Sequence, residues 1–221
     1  MPTVAIIGAS RGIGLGFVEA YAGDGWTVHA TTRTPAAPGA LGRVTGAKGG
    51  GVTLHEMDVV NERHIAALGE ALSDTALDVL IHNAGVYGDG LSRAQVMAIN
   101  AEAPIRVVEA LLPAVARGAQ KKIAILTSQM GAKHGGRAPS GTYGASKAAL
   151  NDNFREHEPA WRARGIASVV FHPGWVKTDM GGRGASVTVA DSVAGMRRAI
   201  AGLTSADSGR FLTWRGEAHS W

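Results

Sequence analysis

The chain has 221 residues, 45% of them hydrophobic and 18% charged, with 31 glycines that follow no G-x-y period, so neither a disordered nor a collagen-like chain fits. The absence of cysteine excludes disulfides and thiolate metal sites. The formal charge of +4 and pI near 9.7 come from scattered residues (Arg11, Arg33, Lys48, Lys121, Lys122, Arg162, Arg164, Arg197, Arg198) with no aromatic-interleaved stripe, so no nucleic-acid partner is expected.

The first element, "TVAII" (3–7), reads as a buried strand and runs into "GASRGIGLG" and a helix over 13–22. Gly8, Gly12 and Gly14 then sit where a strand hands over to a helix. Taken alone, this is either a tight strand-to-helix connection or a cradle in which backbone N–H groups and the helix dipole meet a pyrophosphate. The spacing is G-x-x-x-G-x-G rather than the general G-x-G-x-x-G.

A second strand over 26–32 ends at Thr31, Thr32 and Arg33. An acidic residue that would bind a free ribose 2′-hydroxyl is missing there. Arg33 and Arg11 instead offer two planar cations, which suit a 2′-phosphate and predict NADP(H) in preference to NAD(H). The Gly/Pro/Ala-rich segment 34–51 reads as a loop or a short, poorly formed helix.

Further strands are predicted over 51–59, 77–85, 122–128, 166–174 and 209–214, with helices over 61–72, 91–116, 142–163 and 188–203. The strands are apolar without alternation, as in sheets covered on both faces. Strands alternating with helices predict βαβ units and a parallel seven-stranded sheet in an α/β fold. There is no repeat and no dividing linker, so one domain over 1–221 is expected, with a substrate-loop region near 175–190. No apolar run is long enough for a bilayer and no signal-like leader is read, which predicts a cytoplasmic protein without membrane contact.

In the helix over 142–163, "YGASK" sets Tyr143 and Lys147 four residues apart, on one face. On this motif alone the pair is either surface decoration or a proton donor beside the charge that tunes it.

Taken in order, "GASRGIG" (8–14), "DV" (58–59), "NAG" (83–85), Asn100 in "MAINAEAP", Ser128 in "ILTSQMG", "YGASK" (143–147) and "HPGWVKTDM" (172–180) resemble the short-chain dehydrogenase/reductase family across essentially the whole chain. The compact length and the tail "GRFLTWRGEAHSW" are most similar to the carbonyl-reductase branch that includes sniffer and C-factor proteins.

The resemblance implies a Rossmann-type, doubly wound sheet with helices on both faces, and reduction of a ketone or aldehyde to an alcohol with NADP(H). It implies Tyr143 as general acid/base and Lys147 as the cation that lowers its pKa and holds the nicotinamide ribose. Ser128 would hold the substrate oxygen, and Asn100 would anchor a water chain to Lys147. Cofactor contacts are implied for Gly8, Ser10, Arg11, Gly12, Ile13, Gly14, Arg33, Asp58, Val59, Asn83, Ala84, Gly85, Tyr143, Lys147, Pro173, Gly174, Val176 and Thr178. A homodimer or homotetramer is implied through the helix that bears Tyr143 and its predecessor.

The family often has Thr where this chain has Ile7, and Asn where it has His82, which reads as a polar strand-end residue satisfied by backbone. His134 and Arg137, in a loop slightly long for the family, are candidate substrate contacts. Trp175 either walls the pocket or packs. His55, His64, His157 and His172 lack metal-ligand spacing, and no metal is expected. The short segment 181–188 predicts an open pocket for small or aromatic carbonyls. The alternatives are a cofactor-binding signalling or regulatory protein with incidental redox activity, and a lyase or epimerase on the same fold.

Overall fold

A computed structural model describes residues 1–45, 51–133 and 141–221. Seven strands alternate with helices: β1 (Thr3–Ile7), α1 (Gly12–Gly23), β2 (Thr27–Thr32), α2 (Ala40–Thr45), β3 (Val52–Glu56), α3 (Glu62–Ala71), β4 (Val79–His82), α4 (Arg93–Met97), α5 (Ala103–Arg117), β5 (Lys122–Leu126), α6 (Gly141–Arg162), β6 (Ala167–His172), α7 (Val189–Gly202) and β7 (Arg210–Thr213). All pairings among them are parallel, in the order β3-β2-β1-β4-β5-β6-β7. The order reverses between β1 and β4, and there the loops after the two strands part to leave a crevice.

Side chains alternate across each strand, so the sheet divides two cores. Ala5, Ile7, Leu80, Ile123 and Ile125 pack with α3, α5 and α6. Val4, Ile6, Val79, Ile81 and Ala124 pack with α1 and α7. Both faces are therefore dry, which is why the strands read as unbroken apolar runs.

β1 matches the predicted 3–7, and the other ladders are shorter than the predicted strands. The run expected over 77–85 is hydrogen-bonded as strand only from Val79 to His82, because Asn83 and Ala84 both turn their N–H groups to the Ile7 carbonyl. The helix expected over 91–116 is three pieces: α4, a π-helical turn over Ala98–Glu102, and α5. The widened turn carries Asn100, fully buried. Within the segment 34–51, six residues form α2. Among the described residues, no helix is long and apolar enough to cross a membrane.

Candidate active site

The crevice is a cavity of about 490 Å³ at the carboxyl ends of the strands, a size ordinary for a cofactor site. One wall is the turn between β1 and α1. Gly8 has φ of +84°, open to glycine, and a Cβ there would lie 2.8 Å from Ala84 Cα. A Cβ on Gly14 would lie 2.0 Å from the Gly8 carbonyl oxygen. Three hydrogen bonds fix this turn: Gly8 N donates to Thr31 Oγ1 (2.9 Å), Ala9 N to the Thr31 carbonyl (2.9 Å), and Asn83 Nδ2 to the Gly8 carbonyl (2.6 Å).

Of the residues implied to meet cofactor, Gly8, Ser10, Arg11, Gly12, Ile13, Arg33, Asp58, Val59, Asn83, Ala84, Gly85, Tyr143, Lys147, Pro173 and Thr178 line this cavity. Gly14, Gly174 and Val176 stand behind the lining. Gly14 packs on the turn, Gly174 lies against Trp214 and Val187, and Val176 bridges to Val187. Thr31, Thr32, Met57, Val86, Ile99, Leu126, Thr127, Lys177, Asp179 and Met180 also line it, and sequence reasoning assigned none of them to it.

Arg11 and Arg33 share the cavity as expected, yet the Arg11 guanidinium donates to Asp179 at 2.9 Å. This exposed ion pair ties the glycine turn to the loop after β6. Asp179 belongs to the "HPGWVKTDM" motif, but its pairing with Arg11 is not legible from spacing, since 168 residues separate the two.

The other wall carries Tyr143 and Lys147; Ser128 and Asn100 are not part of the lining. Lys147 is buried and its Nζ donates to the Leu126 carbonyl at 3.1 Å. Burial pushes its pKa down to about 8. Tyr143 stands one turn earlier, with its ring centroid 6.0 Å from Lys147 Nζ. Burial raises the Tyr143 pKa and a hydrogen bond with Ser128 opposes the rise. The family resemblance implies a lowering by Lys147. In this geometry desolvation of the phenol, reinforced by Tyr87, outweighs the Ser128 hydrogen bond.

Ser128 Oγ accepts the Met130 N–H at 3.1 Å and so caps the short turn Gln129–Gly131. Asn100 Nδ2 donates to the Val86 carbonyl (2.8 Å) and to Ser146 Oγ (3.0 Å), while its Oδ1 accepts from Val86 N (2.9 Å). Asn100 thus pins the loop after β4 onto α6. A Cβ on Gly85 would lie 3.2 Å from Asn100 Oδ1 and 3.4 Å from Lys147 Nζ, so these two groups meet beside Gly85.

Met180 lines the cavity and is half exposed; Tyr87, Met130 and Trp175 are also exposed, on the loops after β4, β5 and β6. Tyr87 lies over Tyr143 with ring centroids 5.0 Å apart. Trp175 is 55% exposed and donates from Nε1 to the Gly181 carbonyl at 2.8 Å, so it is not part of the core. Tyr87 was the legible miss: an aromatic residue two positions past "NAG". His134 and Arg137 lie outside the described residues.

The remaining histidines are scattered. His55 meets His29 at 3.0 Å, His64 accepts from Asp58 N, and His157 lies on the Asn153 carbonyl. Among the described residues, no group of three or more ligating side chains could hold a metal.

The sequence profile of the short chain dehydrogenases matches residues 2–188. C-signal of Myxococcus xanthus is 42% identical over 155 residues, 66% of this chain and 93% of its own length. The solved NADPH-bound carbonyl reductase from chicken fatty liver superposes with a TM-score of 0.87 at 32% identity, over 100% of this chain and 99% of that one. Carbonyl reductase Sniffer of D. melanogaster gives a TM-score of 0.90 at 25% identity, over the whole of both chains. The protein therefore belongs to the short-chain dehydrogenase family of oxidoreductases.

Proposed function

We propose that the protein is an NADP(H)-dependent carbonyl reductase that converts an apolar or aromatic ketone or aldehyde to its alcohol. The observation that carries this reading is the continuous cavity that joins the glycine turn to Tyr143 and Lys147. The chain's own residues fit a dinucleotide: backbone laid bare at Gly8 and Gly12, and the cations Arg11, Arg33 and Lys177 along one cavity. The NADPH-bound relative supports the choice of cofactor.

When bound, the reduced nicotinamide supplies hydride to the carbonyl carbon. Tyr143 gives its phenolic proton to the carbonyl oxygen. Its raised pKa keeps that proton in place at neutral pH, which suits an acid in reduction. Ser128 Oγ, beside the phenol, holds the same oxygen. Lys147 keeps a positive charge near the developing oxyanion and the ribose. Asn100 fixes the loop that frames the pocket. Exposed Tyr87 over the catalytic phenol, with Met180 on the cavity, favours a flat apolar substrate.

Consumption of NADPH against a panel of aldehydes, aromatic ketones and diketones tests the reading, with Tyr143→Phe and NADH in parallel. Turnover that collapses in Tyr143→Phe is expected. A second reading, a cofactor-binding signalling protein, rests on the 42% identity with C-signal. Tight NADPH binding without turnover of any panel member would favour it.

A homodimer through α5 and α6 would bring together outward faces bearing the exposed charges Glu109, Asp152, Arg155 and Glu156. We expect such pairing to depend on ionic strength, read by light scattering.

A further inference from the structure

His82 closes β4, level with Ile7 and Ile125, and is 1% exposed. Leu80, two residues earlier, packs in the layer of α5 and α6. Alternation along the strand turns His82 to that same layer, where Asn100, Ser146 and Lys147 stand. Lys147 Nζ donates to the carbonyl of Leu126, the residue after His82's partner Ile125. Imidazole and ammonium are thus neighbours across the β4–β5 pair. Burial and the Lys147 charge together push the His82 pKa down to about 3, so the ring is neutral at any working pH.

His82 Nε2 is one of three buried side-chain polar atoms, among the described residues, that no protein group satisfies. The ring also interacts with its own backbone. With Nδ1 as the donor there, Nε2 is a lone pair with no donor, which a buried acceptor rarely tolerates.

Lys147 has the complementary surplus. Its ammonium has three N–H donors, and one protein acceptor, the Leu126 carbonyl, is in place. The nearby Asn100 Oδ1 already accepts from Val86 N, and the hydrogen bond that Lys147 Nζ makes is the one to Leu126.

We propose that His82, protonated on Nδ1, is a positioning residue for Lys147: its Nε2 accepts a hydrogen bond from a water that the ammonium binds, which sets the direction of Lys147 Nζ and hydrates its buried side. This rests on the reading of Tyr143 and Lys147 as the proton-handling pair. The titratable groups that face Lys147 among the described residues are Tyr143, on the same helix, and His82, on β4. An acceptor beside the ammonium favours its charged form, so losing the acceptor lowers the pKa of Lys147 further.

Two variants and one spectrum test this. In His82→Leu, kcat should fall about tenfold with the Kd for NADPH unchanged, and the basic limb of the pH profile should move to lower pH. His82→Asn, whose carboxamide oxygen can accept the same bond, should restore both. Nitrogen-15 spectra of histidine-labelled protein without cofactor should show the Nδ1-protonated tautomer with a hydrogen-bonded Nε2, and the Nε2 signal should move in Lys147→Met. A loss of thermal stability alone, with the pH limb unmoved, would reduce His82 to packing and overturn the proposal. So would a proton found on Nε2. If no carbonyl is turned over, the spectrum still decides, which separates this inference from the reductase reading. If His82→Leu does not fold, His82→Asn and the spectrum carry the test.

Discussion

The two walls of the cavity are held by different kinds of contact. At the phosphate wall bare backbone meets the cavity, held by Thr31 and Asn83, and the charged pair that reaches into it, Arg11 and Asp179, is mostly in solvent. At the chemical wall the side chains do the positioning: Asn100, Ser128, Ser146 and Lys147 are all buried and bonded to named partners. Water screens charges on the first wall and not on the second. Changes at the second wall should therefore act on chemistry strongly, and changes at the first on binding weakly, unless they touch the backbone approach itself.

Tyr143→Phe is the sharpest test of that contrast. Turnover should fall by about 10²–10⁴-fold with NADPH affinity held within a few-fold. Steady-state kinetics and fluorescence titration read the two quantities.

Lys147→Met should also lose most turnover, yet gain stability. A buried lysine whose folded pKa is about 8 against 10.5 strains the fold below pH 8, where both states are protonated. Stability rises from pH 8 to 10.5, as the folded chain sheds its proton before the unfolded one. Removing the charge should raise Tm at pH 7 and flatten that rise, as read by thermal unfolding across pH.

Gly14→Ala marks the exception at the phosphate wall. Its Cβ would fall 2.0 Å from the Gly8 oxygen and 2.6 Å from Asn83 Nδ2. Such overpacking costs about 1–3 kcal/mol, a drop of several degrees in Tm, with NADPH binding lost. An unchanged Kd would break the comparison.

The reductive rate should be level below about pH 7 and fall as pH passes about 8, where Lys147 loses its proton. The smallest effect is expected from Asp179→Asn. With side chains 74% and 78% exposed, the Arg11–Asp179 pair is worth little. Freeing Arg11 should tighten NADPH about two- to five-fold and leave NADH unchanged.

The phosphate wall was the more legible of the two in the sequence. Its signal is local, three glycines between a strand and a helix, and most of its predicted residues line the cavity. The chemical wall was legible in its residue types and not in its links. Nothing in "MAINAEAP" announces a π-helical turn, because a period of 3.6 and a one-residue widening look alike over five positions. Asp179 and Lys177 escape a local reading because what they line, the glycine turn and its cavity, is built by the far end of the chain. His82 reads as satisfied by backbone, which accounts for one ring nitrogen and leaves the other.

The division of the interior into two cores has a consequence for how mutations combine. Ile6 and Ile7 are adjacent in sequence but lie in different cores, on opposite faces of the sheet. The effects of Ile6→Val and Ile7→Val should simply add. Ile7 and Ile125, far apart in the chain, belong to one core, and changes there can couple through a shared void. A map of epistasis along β1 should therefore alternate residue by residue, each position answering to distant helices and ignoring its neighbour in the chain.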